Sequence, residues 1–318
     1  MRICVTGGYG FIGKLLVERL LKDGARLRLI SRVPREPSER VQIYCADLAS
    51  SETQLTGFFE DVSVVYHCAG EVNRLELMRA LHVNGTQRLL DEAQKHISLS
   101  GRPVHWVQLS SVGVYGPPVG RVDDLRQVSE TDQLRPVGEY EITKAESDQL
   151  VLQMAAREPL FTCSILRPSI VVARHMPNQS VKSLVNAVRD RKFFYIGSAA
   201  AITTYIHVDD VIDALMLCAN DKRASGQIFN LSNDCYMYEL VNAIHRYYGI
   251  NSRVFRVPVL PLRLLVQLLA PLAKLPLTQG RIDAMIKRTS YPDKKIREVL
   301  NYVPKRSIPE VIANLFYE

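Results

Sequence analysis

Thr6-Gly7-Gly8-Tyr9-Gly10-Phe11-Ile12-Gly13, the TGGYGFIG of residues 6–13, follows the apolar run RICV and opens a helix-like pattern over 11–23. It holds two overlapping glycine frames: a GxGxxG of Gly8, Gly10 and Gly13, and a GxxGxxG of Gly7, Gly10 and Gly13. In either frame, strand, glycine turn and helix coincide. Glycine lets the chain turn tightly and bring backbone N–H groups against a pyrophosphate, and the helix N-terminus adds its dipole.

Working outward, short β-rich runs alternate with helical patterns. RLRLISR (26–32), VQIYCADL (41–48) followed by a helical 51–60, SVVYHCAG (63–70) followed by 84–97, VHWVQLSS (104–111), a helix over 139–157 and FTCSILRPSIV (161–171) continue the rhythm. Strands of this length separated by helix-length segments predict βαβ units and a parallel sheet covered on both faces, the doubly wound Rossmann-type α/β class. Beyond 172 the pattern loosens into a helix near 180–190, a strand TTYIHV, a helix over 208–220, a strand at 227–233 and a final helix from about 308. The expected division is a nucleotide-binding domain of 1–168 and 204–232, with a smaller, mainly helical substrate-binding portion of 169–203 and 233–318.

The 318 residues suffice for a sizeable core, and 47% hydrophobic with 23% charged residues is ordinary for a globular protein. The net charge of +7 comes from Lys+Arg 40 against Asp+Glu 33, without a run of like charges. That suits anionic small substrates, not a polynucleotide. Cys4, Cys45, Cys68, Cys163, Cys218 and Cys235 include no CxxC pair, so they read as reduced small hydrophobes of a cytoplasmic protein, without a disulfide frame or bound metal. The first strand begins at once in MRICVTGG, which leaves no room for a signal peptide. The apolar stretch 257–277 is punctuated by Pro258, Pro261, Pro271 and Pro276, and only ten uncharged residues separate Arg263 from Lys274. A membrane span needs ~20, so a buried helix or a greasy lid is expected there.

An acid for the ribose 2′-hydroxyl of NAD belongs about 20 residues past the glycines. The chain has Ser31 and Arg32 there, with Arg35 beyond. A guanidinium fits a 2′-phosphate, so NADP(H) is expected over NAD(H). Asp47, in CADL, is placed either to accept from the adenine amino group or to cap a helix.

The segment SSVGVYG (110–116), Tyr140 with Lys144 in EYEITK, HCAG (67–70), HVNGT (82–86), LRPSIV (166–171) and YIHVDDV (205–211) join the glycine loop in one pattern. Together these resemble the extended short-chain dehydrogenase/reductase family, the NAD-dependent epimerases, dehydratases and ketoreductases, over nearly the whole chain. Family members carry a Thr before the first glycine of GxxGxxG, so the resemblance selects the Gly7 frame. It implies that Gly7, Gly10, Phe11, Ile12, Gly13, Arg32, Asp47, Leu48, Ala69 and Pro168 line the dinucleotide. It implies that Lys144 holds the nicotinamide ribose, and that Asn84 braces the active-site helix and a water, a helix N-cap being the alternative for Asn84. A homodimer through helices near 86–97 and 139–157 is implied as well.

Tyr140 and Lys144, four apart on a helix, share one face. Bringing a phenol from ~10 to near 7 takes ~4 kcal/mol of phenolate stabilisation, which an ammonium and a cationic ring can supply. Ser111 is placed to hold and polarise the reacting carbonyl or hydroxyl, with Ser110 its neighbouring rival.

Val112 and Gly113 follow Ser111, where family dehydratases place acids, so dehydration is disfavoured. A nucleotide-sugar ketoreductase or 4-epimerase is expected, with Arg174, Arg191, Lys192, Arg281 and Arg288 as candidates for the substrate diphosphate. Thr203 and Thr204 stand where many nucleotide-sugar members carry an arginine. That leaves open an apolar carbonyl substrate, as in the 3β-hydroxysteroid dehydrogenase and dihydroflavonol reductase branches. A dinucleotide-sensing module without catalysis is the third possibility.

Overall fold

The computed structural model describes residues 2–269 and 277–316. Seven strands form one parallel sheet: β1 (Arg2–Thr6), β2 (Arg26–Ser31), β3 (Val41–Cys45), β4 (Val62–His67), β5 (Val104–Leu109), β6 (Phe161–Pro168) and β7 (Gln227–Leu231). Their order is β7-β6-β5-β4-β1-β2-β3, so the direction of winding reverses between β1 and β4. A crevice outside the carboxyl ends of the strands opens at such a reversal. Thr6 pairs with His67 there, at the last register position of β1 and β4.

The principal helices are α1 (Phe11–Lys22), α2 (Thr86–Ser100), α3 (Glu139–Arg157), α4 (Gln179–Arg189), α5 (Val208–Asn220), α6 (Met237–Tyr248), α7 (Val259–Leu269), α8 (Gln279–Ile286), α9 (Lys294–Leu300) and α10 (Ile308–Leu315). The expected 139–157 helix is α3 residue for residue. On one face of the sheet Leu16, Val17 and Leu20 of α1 pack with Val211, Ile212 and Leu215 of α5; on the other, Leu89, Leu90, Ala93 and Ile97 of α2 meet Val151 and Met154 of α3. Each large apolar side chain so buried contributes roughly 1.5–3 kcal/mol. This double covering explains strands that read as continuous apolar runs rather than alternating ones. A third cluster joins α4, α6 and α10 away from the sheet.

Two sequence expectations need correction. The expected helix at 51–60 is a set of turns. Gly57 turns at a φ of +76° and Asp61 at +58°, left-handed backbone through which a right-handed helix does not continue, and the buried Arg28 guanidinium from β2 gathers the carbonyls of Gly57 (2.8 Å), Phe58 (3.2 Å) and Glu60 (2.5 Å) of these turns. Nor is the described part of 257–277 a buried helix: in α7 Val266 is buried, while Leu260 and Leu268 are 74% and 72% exposed. Its inner edge is tied to α8 by an Arg263–Asp283 ion pair and by the Gln279 amide donating to the Arg263 carbonyl at 2.9 Å. Residues 270–276, with Pro271, Lys274 and Pro276, lie outside the described residues. Among the described residues no helix is long and apolar enough to cross a membrane.

Candidate active site

The glycine loop turns at Gly7, whose φ of +66° suits a residue without a Cβ, and a Cβ there would meet the Cys68 carbonyl oxygen at 2.6 Å. Gly13 packs its bare Cα onto the same turn, where a Cβ would stand 2.1 Å from the Gly7 carbonyl oxygen. At Gly8 a Cβ would meet only the methyl ends of Val17 and Leu29, at 3.2 and 3.3 Å. The steric demands therefore fall on the Gly7 frame. Gly10 is the N-cap of α1, with no side-chain cap and no acidic residue in the first turn. Phe11 and Ile12 begin that helix, half-buried. An N-terminus with open N–H groups, behind a turn cleared of side chains, fits a dinucleotide pyrophosphate.

At the end of β2, the buried Ser31 hydroxyl donates to the Val33 carbonyl at 2.7 Å and accepts from Arg35 Nε at 3.2 Å. The Arg35 guanidinium lies 3.9 Å from the ring centroid of Tyr9, a residue of the glycine loop. Arg32 is exposed beside them. Arg35, which the sequence reading placed only beyond the expected position, is thus the guanidinium tied to the loop. Asp47 is exposed and accepts from the Ala49 N–H at 3.0 Å, a local turn bond, while Leu48 is buried.

Ser111, Tyr140 and Lys144 come together across β5 and the first turns of α3. Ser111 Oγ accepts from the Gly113 N–H at 3.1 Å. Ser110 points into the core and donates to Asp148 Oδ2 at 2.7 Å, so the choice between neighbours falls on Ser111. Lys144 is 5% exposed and its Nζ donates to the Leu109 carbonyl at 2.8 Å. Gly70 lies against it, a Cβ at that position standing 3.7 Å from Lys144 Nζ. Burial pulls the Lys144 ammonium down and Asp148, one turn along, pushes it back up. Burial pushes the Tyr140 phenol up to about 12, with the Glu141 charge adding to the rise and Ser111 opposing it. Ala69 is buried, its N–H donating to Thr6 Oγ1 at 3.2 Å, and Pro168 is buried at the end of β6.

Among the described residues the Asn84 side chain makes no hydrogen bond to this helix. It is exposed, on a π-helical turn of Ala80–Gly85 that runs without a break into α2, so it is not an N-cap either. The brace is His82, which the sequence reading passed over. Its Nε2 accepts from the Glu71 N–H at 2.8 Å and its Nδ1 pairs with Thr143 Oγ1 at 2.8 Å, while its ring stands edge-on to Tyr140 at 5.7 Å. Because Thr143 donates to the Glu139 carbonyl at 2.7 Å, the proton of the neutral ring belongs on Nδ1. The π winding inserts one residue and turns His82 inward, at the kind of position where such turns recur. The available signal was its spacing of four from Thr86, whose hydroxyl donates to the His82 carbonyl at 2.5 Å.

Behind the site runs a buried polar chain. His67 links Thr6 (2.7 Å) to Thr86 (2.9 Å), Thr86 meets Ser147 (2.9 Å), and Ser147 accepts from the Gln108 amide (2.9 Å), whose oxygen accepts from the Trp106 indole (2.9 Å). The glycine loop and α3 are thereby fixed to one another. Of the basic candidates for a substrate diphosphate, Arg174, Arg191, Lys192 and Arg281 are exposed. Arg288 is half-buried, its Nε without a hydrogen-bond partner among the described residues, on a segment whose carbonyl accepts from Arg126 N–H at 3.0 Å. Arg126 in turn donates to the Gly116 carbonyl at 3.0 Å, which sets Arg288 near the end of the serine segment.

Residues 3–232 match the NAD dependent epimerase/dehydratase family. The chain belongs to that family. This epimerase/dehydratase-family protein is 27% identical to a 4-hydroxy-2-methyl-3-oxo-4-farnesyl-3,4-dihydroquinoline-1-oxide ketoreductase of Stigmatella aurantiaca, over 95% of this chain and 92% of the relative. It is 26% identical to a dTDP-6-deoxy-L-talose 4-dehydrogenase (NAD(P)+) of Kitasatospora kifunensis, over 99% of this chain and 94% of the relative. In fold it is similar to a UDP-glucose 4-epimerase of Thermotoga maritima, solved with UDP-glucose, at a TM-score of 0.72 and 19% identity over 98% and 96% of the two chains. The protein is an enzyme of this NAD-dependent oxidoreductase and epimerase family, with the expected Rossmann-type sheet and helical C-terminal portion.

Proposed function

We propose that the protein is an NADP(H)-linked ketoreductase acting on a nucleotide sugar, interconverting a secondary carbinol and a ketone. The observation that carries this reading is the convergence of Ser111, Tyr140 and Lys144 beside the Gly7–Gly13 cradle, at the carboxyl ends of β1, β4 and β5. Held in that cradle, the dinucleotide supplies the hydride. The chain's own residues do the rest. Ser111 holds the carbonyl oxygen, the Tyr140 phenol donates a proton to it, and Lys144, held against Leu109, holds the ribose. His82 and Thr143 fix the helix that carries both catalytic groups. The preference for NADP(H) rests on Arg32 and on Arg35, stacked on Tyr9. Arg288 is the residue best placed for a substrate diphosphate. The reading includes the nucleotide domain of 1–168 and 204–232, and a cytoplasmic homodimer through α2 and α3, whose mass light scattering reports.

A second reading, an apolar cyclic ketone, is favoured by Thr203 and Thr204 and by the farnesylated substrate in the Stigmatella relative's name. A 4-epimerase would use the same residues with NAD held without exchange. The experiment is NAD(P)H binding and oxidation at 340 nm with UDP- and dTDP-keto sugars and with apolar cyclic ketones. Exchangeable NADPH and turnover lost by orders of magnitude in Tyr140→Phe are expected, with the preference reversed in Arg32→Asp. A wild-type preference for NADH, or full turnover in Tyr140→Phe, overturns the reading.

A further inference from the structure

Glu141, next to Tyr140 on the first turn of α3, is the acid of the site that the reaction above leaves unused. Two glycines clear the space for its side chain. A Cβ on Gly113 would stand 2.9 Å from Glu141 Cγ, and a Cβ on Gly138 would stand 2.3 Å from Glu141 Oε2. The side chain thus fills the volume that residue 113 leaves empty, two positions after Ser111. From the point a Gly113 Cβ would occupy, Ser111 Oγ lies at 3.3 Å and Glu141 Oε1 at 3.7 Å. The Ser111 hydroxyl and a Glu141 carboxylate oxygen therefore lie about one point beside the first turn of α3. Glu141 is half-buried, and among the described residues its carboxylate makes no hydrogen bond or ion pair. The neighbouring acids are engaged otherwise: Glu139 contacts Arg79 at 3.4 Å, Glu146 contacts Arg79 at 2.6 Å, and Asp148 is held by Arg167 at 3.1 Å. The Glu141 charge also bears on the Tyr140 phenol, which places it within electrostatic reach of the reacting oxygen.

An ionised carboxylate only accepts hydrogen bonds, and leaving one half-buried without a donor is costly. We propose that Glu141 is the substrate-recognition residue for a hydroxyl on the carbon next to the reacting carbonyl, so that the enzyme selects α-hydroxy ketones and the matching vicinal diols. The ketone oxygen sits on Ser111 and Tyr140, and the adjacent hydroxyl donates to Glu141 Oε1. A site built to bond a hydroxyl rejects the analogue that lacks it, because the acceptor is then desolvated without a partner. This assignment rests on the ketoreductase reading and narrows its substrate class. It holds for a hydroxylated sugar and for a hydroxylated apolar ring alike.

The test is binding of 2-hydroxycyclohexanone and cyclohexanone to the full chain carrying NADP+, by saturation-transfer NMR with competition, in wild type, Glu141→Gln and Glu141→Ala. The wild type is expected to favour the hydroxy ketone by at least ~10-fold. Glu141→Ala brings the ratio close to one, while the isosteric Glu141→Gln, which keeps the packing against Gly113 and Gly138, lowers it with the thermal midpoint unchanged. A wild type without preference, or binding of neither ketone, overturns the assignment. So does an unchanged ratio in both variants with a lowered thermal midpoint, which makes Glu141 an element of the helix end only. Failure to bind either dinucleotide overturns the ketoreductase reading itself, whereas intact dinucleotide binding without a preference between the ketones overturns the role of Glu141 alone.

Discussion

Gly8 and Gly13 are interchangeable letters in the glycine cluster, but not in the folded loop. A methyl on Gly13 collides with the Gly7 carbonyl at 2.1 Å, and backbone cannot give way cheaply. A methyl on Gly8 meets the far ends of Val17 and Leu29, which can adjust. Gly13→Ala is therefore expected to weaken NADPH binding by at least ~10-fold, about 1.4 kcal/mol, and Gly8→Ala by only a few-fold; fluorescence titration with NADPH compares them. Equal losses would show that Gly8 carries the same steric load as Gly13. The same residue-level reasoning separates Ser111 from Ser110. One hydroxyl faces Tyr140, and the other is committed to a buried carboxylate.

Helix α3 carries Tyr140 and Lys144 in its first turns and a buried ion pair further along. Asp148 accepts from Arg167 Nε at 3.2 Å and Nη2 at 3.1 Å through Oδ2, and both side chains are buried. Asp148 also raises the Lys144 ammonium that burial lowers. Asp148→Asn should therefore do two things. It leaves the Arg167 charge buried without its counter-ion, at a cost of about 3–5 kcal/mol in urea-unfolding free energy. It also lets the Lys144 ammonium fall further, so that the alkaline limb of kcat/KM moves to lower pH. An unmoved alkaline limb with lowered stability would confine Asp148 to packing. The segment ahead of α2 shows the opposite case, an element whose irregularity matters. Its π turn directs His82, not Asn84, at Thr143, and a regular 3.6-residue count along HVNGT misses that rotation.

At the scale of the whole molecule, His67 and His82 tie the sheet, the glycine loop and α3 together in their neutral forms. Burial is the first cause holding each at about 3, against an ordinary value of 6.5. The unfolded chain takes up these protons as the pH falls through 6.5, and the folded protein resists until about 3, so stability rises with pH across that window and is lost as it is descended. Urea unfolding at pH 7 and pH 5 should show lower stability at pH 5, with the difference reduced in His67→Gln; stability that does not depend on pH would contradict the neutral network. What the sequence by itself determined is local and periodic. The alternation of strands and helices set the doubly wound sheet, TGGYGFIG set the strand-turn-helix cradle, and a spacing of four put Tyr140 and Lys144 on one helix face. What only the tertiary structure decided are contacts between distant segments. Arg28 gathers the carbonyls of Gly57, Phe58 and Glu60, His82 and not Asn84 meets Thr143, and Gly113 and Gly138 leave room for Glu141. Periodicity encodes which side of an element is apolar, but carries no record of which remote donor or vacated volume that side will meet.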